Sequence, residues 1–371
     1  MQAMKPLLAK ETAFIALQDF FSRNPKPFVL FGTGTSCAID QDFGMNKLSE
    51  YLLESMPRRN LNQNQKEEWD TVIQNLNNGQ DLETAMNAVS NDVLTQSIVF
   101  CTANLLSSLD RKYGPMLLRG ELTWPAISLF RRLVDGLGTS SSLDVATPNY
   151  DMLAEYAFEK ERISYTTGFV GGICRRLDWR SAKQGMCYGV PAPKKTTIRY
   201  TSTEIPHIRL HKVHGSLNTF KVNNEIVENN GWAHCTPEGI ERSMITPGTS
   251  KYERLHENRQ ELLGQYDEAI EAHNAFLFIG FGFNDHQLVT GAIKRKLKEQ
   301  ECNGLVITRD KNARIVSLLN ECPNLWLICK SQRGPSNETE VTNANYSEPL
   351  YISDVAMWEP NQFTKTILEG D

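Results

Sequence analysis

The sequence predicts an α/β fold, in which a Rossmann-like parallel sheet has helices on both faces and carries a helical insertion. Three observations lead to this prediction. Short apolar runs that suit buried strands recur along the chain, segments of helical periodicity separate them, and the first four runs each meet Gly, Asn or His at their carboxyl end. The 371 residues allow either one large α/β domain with an insertion or two domains. We expect a single domain over residues 1–371.

The first elements set up a nucleotide-binding pattern. A helix is expected from about Leu7 to Phe21, and a buried strand from Pro27 to Phe31 ends in a Gly-rich turn, Gly32 to Ser36. A strand that breaks into such a turn is typical of the opening of a nucleotide-binding α/β unit.

A helical insertion is expected over residues 45–140, because apolar residues recur there at helical spacing and β-branched runs are few. Asp81 is expected to cap one helix, and a long helix is expected from about Val93 to Leu109. Thr123 is expected to cap a further helix that ends near Gly136.

Further strands are expected after the insertion: Leu143 to Thr147, Ile208 to Val213, Ala275 to Ile279, Gly304 to Thr308 and Leu325 to Ile328. A helix should follow from Met152 to Lys160. Residues 168–205 are interpreted as a loop-rich excursion with a hairpin, and residues 331–371 as a C-terminal tail in which Gln332 to Tyr346 form a loop. Because the carboxyl ends of parallel strands share one edge of a sheet, the first four strand ends should converge on one cleft.

Composition narrows the function classes. The net charge is -5, and no tract of Lys and Arg stands out, so direct nucleic-acid binding is not expected. The N-terminal segment lacks the apolar core of a signal peptide, and the longest apolar stretch, Ala275 to Phe283, is far shorter than the roughly 20 residues of a membrane helix. We therefore expect a cytoplasmic protein with no membrane association.

No metal site is expected. The eight cysteines include no C-x-x-C pair, and scattered cysteines in a reducing compartment are usually buried thiols. His207 and His211 lack Cys or carboxylate partners at a recognisable metal-ligand spacing.

Four strand ends carry candidate chemistry. Gly32, Thr33, Gly34 and Ser36 form a turn whose backbone N–H groups can approach a pyrophosphate, although Cys37 stands where a third glycine is usual and a simple tight turn is an alternative. Gly280 and Gly282 open a second such turn, in which Asn284 and Asp285 can bind ribose or instead cap a helix from His286.

The other two strand ends carry polar side chains. The amide of Asn149 can fix a ribose hydroxyl and a water, and the carboxylate of Asp151 can orient a bound cationic group or form an Asx-turn that caps the helix at Met152. His214 can take a proton from a hydroxyl or a water, although a single histidine after a strand is often structural.

Taken in this order, the motifs resemble the sirtuin (SIR2) family over roughly Phe28 to Ile328. They are similar to its Gly-Ala-Gly-x-Ser loop, its Thr-x-Asn-x-Asp motif, its His-Gly and its later Gly-rich loop. The resemblance implies that Asn149 engages the nicotinamide ribose and a water, Asp151 supports the nicotinamide pocket and His214 is the general base. It also implies that Gly32, Thr33 and Ser36 form the phosphate loop and that Gly282 and Asn284 face adenosine.

The departures from protein-deacylating sirtuins point to a subgroup. The two C-x-x-C zinc pairs are missing, and Asp42-Phe43 is followed by Gly44 where that group has arginine. Tyr165 to Gly172, Ile245 to Tyr252 (with Pro247, Lys251 and Tyr252) and Gly282 to Asp285 instead resemble bacterial sirtuin-like effectors of anti-phage defence.

This second resemblance implies an activity and partners. NAD would be a substrate, hydrolysed to nicotinamide and ADP-ribose so that the infected cell loses its NAD. The protein would form a homo-oligomer, and its size resembles the stand-alone subunit that assembles with a HerA-type ATPase. The competing hypotheses are a protein deacylase, an ADP-ribosyltransferase and a non-catalytic NAD or ADP-ribose sensor.

Overall fold

The computed structural model describes residues 5–138, 141–194, 197–246, 263–285, 288, 291–300 and 302–370. Its strands are β1 Phe28–Phe31, β2 Ser142–Thr147, β3 Tyr165–Thr166, β4 Phe169–Gly171, β5 Arg175–Leu177, β6 Cys187–Lys194, β7 Thr197–Glu204, β8 His207–Lys212, β9 Thr219–Val222, β10 Glu225–Glu228, β11 Glu241–Arg242, β12 Ala275–Ile279, β13 Asn303–Ile307, β14 Leu325–Lys330, β15 Thr339–Asn343 and β16 Leu350–Ile352.

The helices are α1 Lys10–Arg23, α2 Gly34–Cys37, α3 Met45–Ser55, α4 Gln63–Asn77, α5 Leu82–Ala85, α6 Asp92–Arg119, α7 Ile127–Asp135, α8 Leu153–Glu161, α9 Trp179–Gly185, α10 at residues 263–272, α11 Ala292–Glu299, α12 Ala313–Glu321 and α13 Pro360–Phe363. Short 3₁₀ turns lie at Gln41–Phe43, Met56–Arg58, Met86–Ala88 and Asn230–Trp232. A π-helical turn, Thr364–Glu369, continues α13.

Nine strands form the main sheet, in the order β16-β15-β14-β13-β12-β1-β2-β8-β3. The seven strands from β14 to β3 run parallel, whereas β15 and β16 are antiparallel additions at one edge. The chain leaves β1 for β2 on one side and later fills the other side with β12. The strand order therefore reverses at β1, and ligands bind at such a point in open α/β sheets.

Both faces of the sheet are covered. In β1, Val29 and Phe31 belong to one hydrophobic cluster, whereas Phe28 and Leu30 belong to the other, and all four are buried. The first cluster packs under α1 and the helices α3 to α8, and the second under α10, α11 and α12. This two-sided burial explains why the central strands β1 and β12 are continuous apolar runs. The predicted Rossmann-like sheet with helices on both faces is confirmed.

Most predicted elements of the first half are present. Residues 45–140, which are predicted to form a helical insertion, contain α3 to α7, and Asp81 caps α5 by accepting a hydrogen bond from the Thr84 N–H at 2.9 Å. The prediction that Thr123 caps a helix is wrong, because α7 begins only at Ile127 after a turn in which Trp124 is buried. The tertiary burial of that ring outweighs the local capping signal.

The C-terminal region is more ordered than expected. The prediction of a loop from Gln332 to Tyr346 is wrong, since β15 lies inside that range and pairs with β14. Its polar side chains are used as hydrogen-bond partners: Asn343 donates to the carbonyl oxygens of Pro323 and Leu325 at 3.0 Å. The strand β15 is therefore held by pairing with β14 and by side-chain hydrogen bonds, and it does not need an alternating apolar pattern.

Two smaller sheets are formed by strands that lie between residues 169 and 242. An antiparallel sheet has the order β11-β9-β10-β5-β4, and β6 pairs with β7 as the expected hairpin. The sequence did not predict β9, β10 and β11. Within the described part of the chain, no helix is long and apolar enough to cross a membrane. The predicted similarity at Ile245 to Tyr252 lies largely outside the described residues, from 247 onward.

Candidate active site

A cavity of about 760 Å³ lies at the carboxyl ends of the central strands. The loops after β1, β2, β8, β12 and β13 all contribute to its wall. The predicted site residues that line it are Gly32, Thr33, Gly34, Asn149, Asp151, His214, Gly280, Gly282, Asn284 and Asp285. Ser36 is the exception: it is buried behind the wall and contacts Asn149 and Asp151.

The two Gly-rich turns pack against each other, backbone to backbone. The N–H of Gly32 donates to the Ile279 carbonyl oxygen and that of Gly34 to the Gly280 carbonyl oxygen, both at 2.9 Å. A Cβ on Gly34 would lie 2.7 Å from the Gly280 oxygen, and Gly280 itself has a φ of 55°. These glycines are therefore required for loop packing, and two of the N–H groups that the sequence assigned to a pyrophosphate are already used within the protein.

Asn149 is 5% exposed and is oriented by its amide nitrogen. Nδ2 donates to the Gly32 carbonyl oxygen and to Ser36 Oγ, each at 3.2 Å. Because the Gly32 oxygen can only accept, the amide orientation is determined, and Oδ1 must point the other way. Oδ1 is buried and has no hydrogen-bond partner among the described residues. An acceptor without a partner among the described residues therefore belongs to a residue that lines the cavity.

Asp151 continues the same network. Ser36 Oγ donates to its Oδ2 at 2.8 Å, and the Leu153 N–H donates to Oδ1 at 3.2 Å. The latter is the predicted Asx-turn at the start of α8. Burial raises the pKa of Asp151 to about 6, although Lys212 and Ser36 oppose that shift. Asp151 therefore stabilises the loop that carries Asn149 as well as lining the cavity.

The loop of Asn149 is tied to the loop of His214. The Tyr150 carbonyl oxygen accepts from the Leu217 N–H at 2.9 Å and from Ser216 Oγ at 3.1 Å. Gly215, with a φ of 77°, makes the turn between His214 and these donors. The two loops that carry the predicted catalytic residues are consequently joined by hydrogen bonds.

His214 lies beside a carboxylate. Its Nε2 is 3.0 Å from Asp285 Oδ2, and the two residues are 3% and 7% exposed. Asp285 was expected from the sequence to contact the nucleotide, and this contact with His214 was not foreseen. The carboxylate of Asp285 can therefore stabilise the positive charge that appears when His214 accepts a proton.

The loop after β12 is anchored by its aromatic residues. Phe281 and Phe283 are buried in the second hydrophobic cluster, and Phe283 adopts a φ of 57°. Asn312 Nδ2 donates to the Gly282 carbonyl oxygen at 2.7 Å, and an Arg314 nitrogen donates to that of Asn284 at 2.8 Å. Gly282 and Asn284 are therefore fixed at the cavity edge.

Sequence reasoning missed several wall residues. Arg309 follows β13 and is the only Lys or Arg among the described residues that line the cavity, and it is ion-paired with Asp310 at 2.8 Å. The rule that found the other strand ends would also have found this one. Asp81, Trp358 and Asn361 come from the insertion and the C-terminal segment, and local sequence carries no signal that they reach the site.

The described residues contain no group of three or more His, Cys, Asp or Glu side chains arranged to hold a metal ion. All eight cysteines are free thiols, and four of them, Cys101, Cys302, Cys322 and Cys329, are buried.

The buried carboxyl group of Glu228 should make the free energy of unfolding depend on pH. It is 1% exposed, and burial raises the pKa of its carboxyl group to about 7, although Arg175 and Thr167 oppose the shift. A carboxyl group whose pKa is higher in the folded state stabilises the fold fully below its unfolded pKa of about 4.5, and this contribution is lost as the pH rises through 7. The loss is of the order of 3 kcal/mol.

We expect the free energy of unfolding to fall less between pH 5 and pH 8 in the Glu228→Gln variant than in the unsubstituted chain. Urea unfolding at the two pH values measures this difference. Glu225→Gln, on the exposed end of the same strand, is the matched control. An equal pH dependence in the Glu228→Gln variant and the unsubstituted chain would contradict the prediction.

Comparison with known proteins agrees with this geometry. A family model described as SIR2-like domain matches residues 144–318, which include Asn149, Asp151, His214 and the loop from Gly280 to Asp285. The Gly-rich turn at Gly32 lies before the matched segment. No curated protein matches the chain. Residues 144–318 are therefore similar to a SIR2-like domain.

Proposed function

We propose that the protein is an NAD hydrolase, which cleaves NAD to nicotinamide and ADP-ribose. The observation that carries the proposal is the buried acceptor Asn149 Oδ1, which lacks a hydrogen-bond partner within the described residues and belongs to a residue that lines the same cavity as His214. Buried acceptors are normally satisfied, so one without a partner on a residue beside a cavity suits a ligand hydroxyl or a water. A volume of about 760 Å³ is in the range of small-molecule sites.

The chemistry follows from the charges. Nicotinamide leaves as a neutral molecule from a cationic state, so its departure needs little acid catalysis. Water attacks the ribose carbon, the carbon–nitrogen bond breaks with its electron pair going to nicotinamide, and the water proton goes to His214. Asn149 Oδ1 accepts a hydrogen bond from the ribose or the water, and Asp285 stabilises the protonated His214. Positioning and base catalysis each contribute substantially to such a step.

We further propose a biological role and partners. The protein would act in bacterial anti-phage defence by depleting NAD, as a homo-oligomer and in complex with a HerA-type ATPase. The support is the similarity of Tyr165 to Gly172 and Gly282 to Asp285 to sirtuin-like defence effectors. The second of these segments borders the cavity, next to His214.

Product analysis tests the proposed activity. The protein is incubated with NAD, alone and with a candidate ATPase partner, and the products are separated by chromatography. We expect nicotinamide and ADP-ribose in equal amounts, with no requirement for a peptide. Tight binding of NAD without nicotinamide release, under both conditions, would instead identify a sensor.

The same assay distinguishes a hydrolase from a deacylase and from an ADP-ribosyltransferase. With an acetylated peptide added, a deacylase would form O-acylated ADP-ribose and would need the peptide for turnover. An ADP-ribosyltransferase would transfer labelled ADP-ribose to protein, which an NAD labelled in the adenosine half reveals on a denaturing gel. Either product as the main outcome would overturn the proposal of hydrolysis.

A further inference from the structure

The peptide bond between Asp151 and Met152 is held on both sides by buried charges. Lys212 Nζ donates to the Asp151 carbonyl oxygen at 2.6 Å, and the Met152 N–H donates to Asp110 Oδ1 at 2.9 Å. Asp110 is 0% exposed and Lys212 is 4% exposed. Hydrogen bonds to charged groups are stronger than those between neutral groups. This peptide, which follows Asn149 closely in the chain, is therefore a strongly fixed point of the loop.

Each of the two charges is itself held in place. Lys212 Nζ also donates to Glu155 Oε1 at 2.7 Å. Asp110 Oδ2 accepts from the Tyr156 hydroxyl at 3.0 Å and contacts His234 Nε2 at 2.7 Å. The carboxylate of Asp110 thus contacts three groups: the Met152 N–H, the Tyr156 hydroxyl and His234 Nε2. Of these, only the Met152 N–H belongs to the loop of Asn149.

The anchor comes from the helical insertion. Asp110 lies on α6, and α6 packs closely on α8, where Tyr156 is located. The close approach needs Gly114, since a Cβ there would lie 2.4 Å from the Tyr156 ring. A carboxylate outside the segment that matches the SIR2-like model therefore reaches the loop that carries Asn149.

We propose that Asp110 is a positioning residue that holds the Asn149 acceptor in its working place, a proposal that rests on the NAD hydrolase function above. Asp110 does not line the cavity, so it acts through the Met152 N–H and the loop. Without Asp110, the buried Met152 N–H loses its acceptor, and only the hydrogen bond from Lys212 still holds the peptide. A displacement of about 1 Å of a catalytic group can cost 10²-fold in rate.

Two substitutions at this position separate positioning from charge. Asp110→Ala removes the acceptor, and we expect kcat for nicotinamide release to fall by about 10- to 100-fold, with KM for NAD changed by less than about threefold. Asp110→Asn keeps an oxygen for the Met152 N–H, and we expect most of the activity to remain.

Tyr156→Phe is the matched control. It removes a different hydrogen bond to the same carboxylate and leaves the loop contact in place. If Asp110 acts only through general stability, Tyr156→Phe and Asp110→Ala would lower activity together with the unfolding midpoint. If it positions the loop, only Asp110→Ala lowers kcat. Equal kcat values in a folded Asp110→Ala variant and the unsubstituted protein would overturn the proposal.

A second measurement does not depend on turnover. Hydrogen exchange of the peptide that contains Met152 should be slow in the unsubstituted protein and in Tyr156→Phe, and at least tenfold faster in Asp110→Ala. If Asp110→Ala does not fold, Asp110→Ser shortens the same side chain and withdraws the acceptor from the Met152 N–H, so it should give the same pattern, and unchanged exchange there would refute the anchor. Absence of nicotinamide release from the unsubstituted protein would instead overturn the proposed function, and the exchange result would still decide the anchor.

Discussion

Replacing His214 by alanine is expected to lower kcat for nicotinamide release by about 10²–10⁴-fold, the usual contribution of a general base. The imidazole is 3% exposed, lines the cavity and lies 3.0 Å from Asp285 Oδ2, so its removal eliminates both the proton acceptor and the group that Asp285 supports. The measurement is the initial rate of nicotinamide release at saturating NAD, with circular dichroism to confirm that the variant is folded.

His273→Ala is the control for this substitution. His273 also contacts a buried carboxylate, since its Nε2 lies 3.7 Å from Asp144 Oδ2, but it does not line the cavity. We expect its kcat to stay close to that of the unsubstituted protein. Asp285→Asn keeps the shape but removes the charge, and should give an intermediate loss. Substantial NAD hydrolysis by the His214→Ala variant would show that another group removes the proton.

The parts of the fold that were predictable are those governed by local patterns. The strand from Ala275 to Ile279 was predicted at its observed bounds, because a fully buried strand must be apolar at every position. The polar strand β15 was missed, since its stability comes from pairing with β14 and from side chains such as Asn343. A pattern read along one segment contains no information about a partner strand far away in sequence.

Some features of the candidate site could also be predicted from the sequence, and others could not. The rule that ligands bind at the carboxyl ends of parallel strands is enough to bring Asn149, His214 and Asp285 to one cavity from the sequence alone. The contact between His214 and Asp285 could not be predicted, because β8 and β12 are separated in the sheet by β2 and β1. The role of Asp110 could not be predicted either. It lies within the long helix α6, and the sequence does not show which residues of that helix face the loop of Asn149.

Replacing Asn149 by aspartate is expected to abolish nearly all activity at neutral pH, although the two side chains have the same shape. The reason is the Gly32 carbonyl oxygen, which lies 3.2 Å from Asn149 Nδ2 and accepts its hydrogen bond. A carboxylate oxygen in that position would face another acceptor, which is repulsive, and would push the side chain away from its place. We expect a loss of kcat of about 10²-fold or more.

The pH dependence of this variant tests the cause. Burial raises the pKa of a carboxyl group introduced at position 149, and the protonated form has an O–H that can donate to the Gly32 oxygen while its other oxygen remains an acceptor. The activity of Asn149→Asp, divided by that of the unsubstituted protein, should therefore rise as the pH is lowered from 8 to 5. Asn149→Ala has no group to protonate, so its ratio should stay flat. A flat ratio for both variants would mean that the orientation of the amide, with Nδ2 donating to the Gly32 oxygen, is not what makes Asn149 necessary.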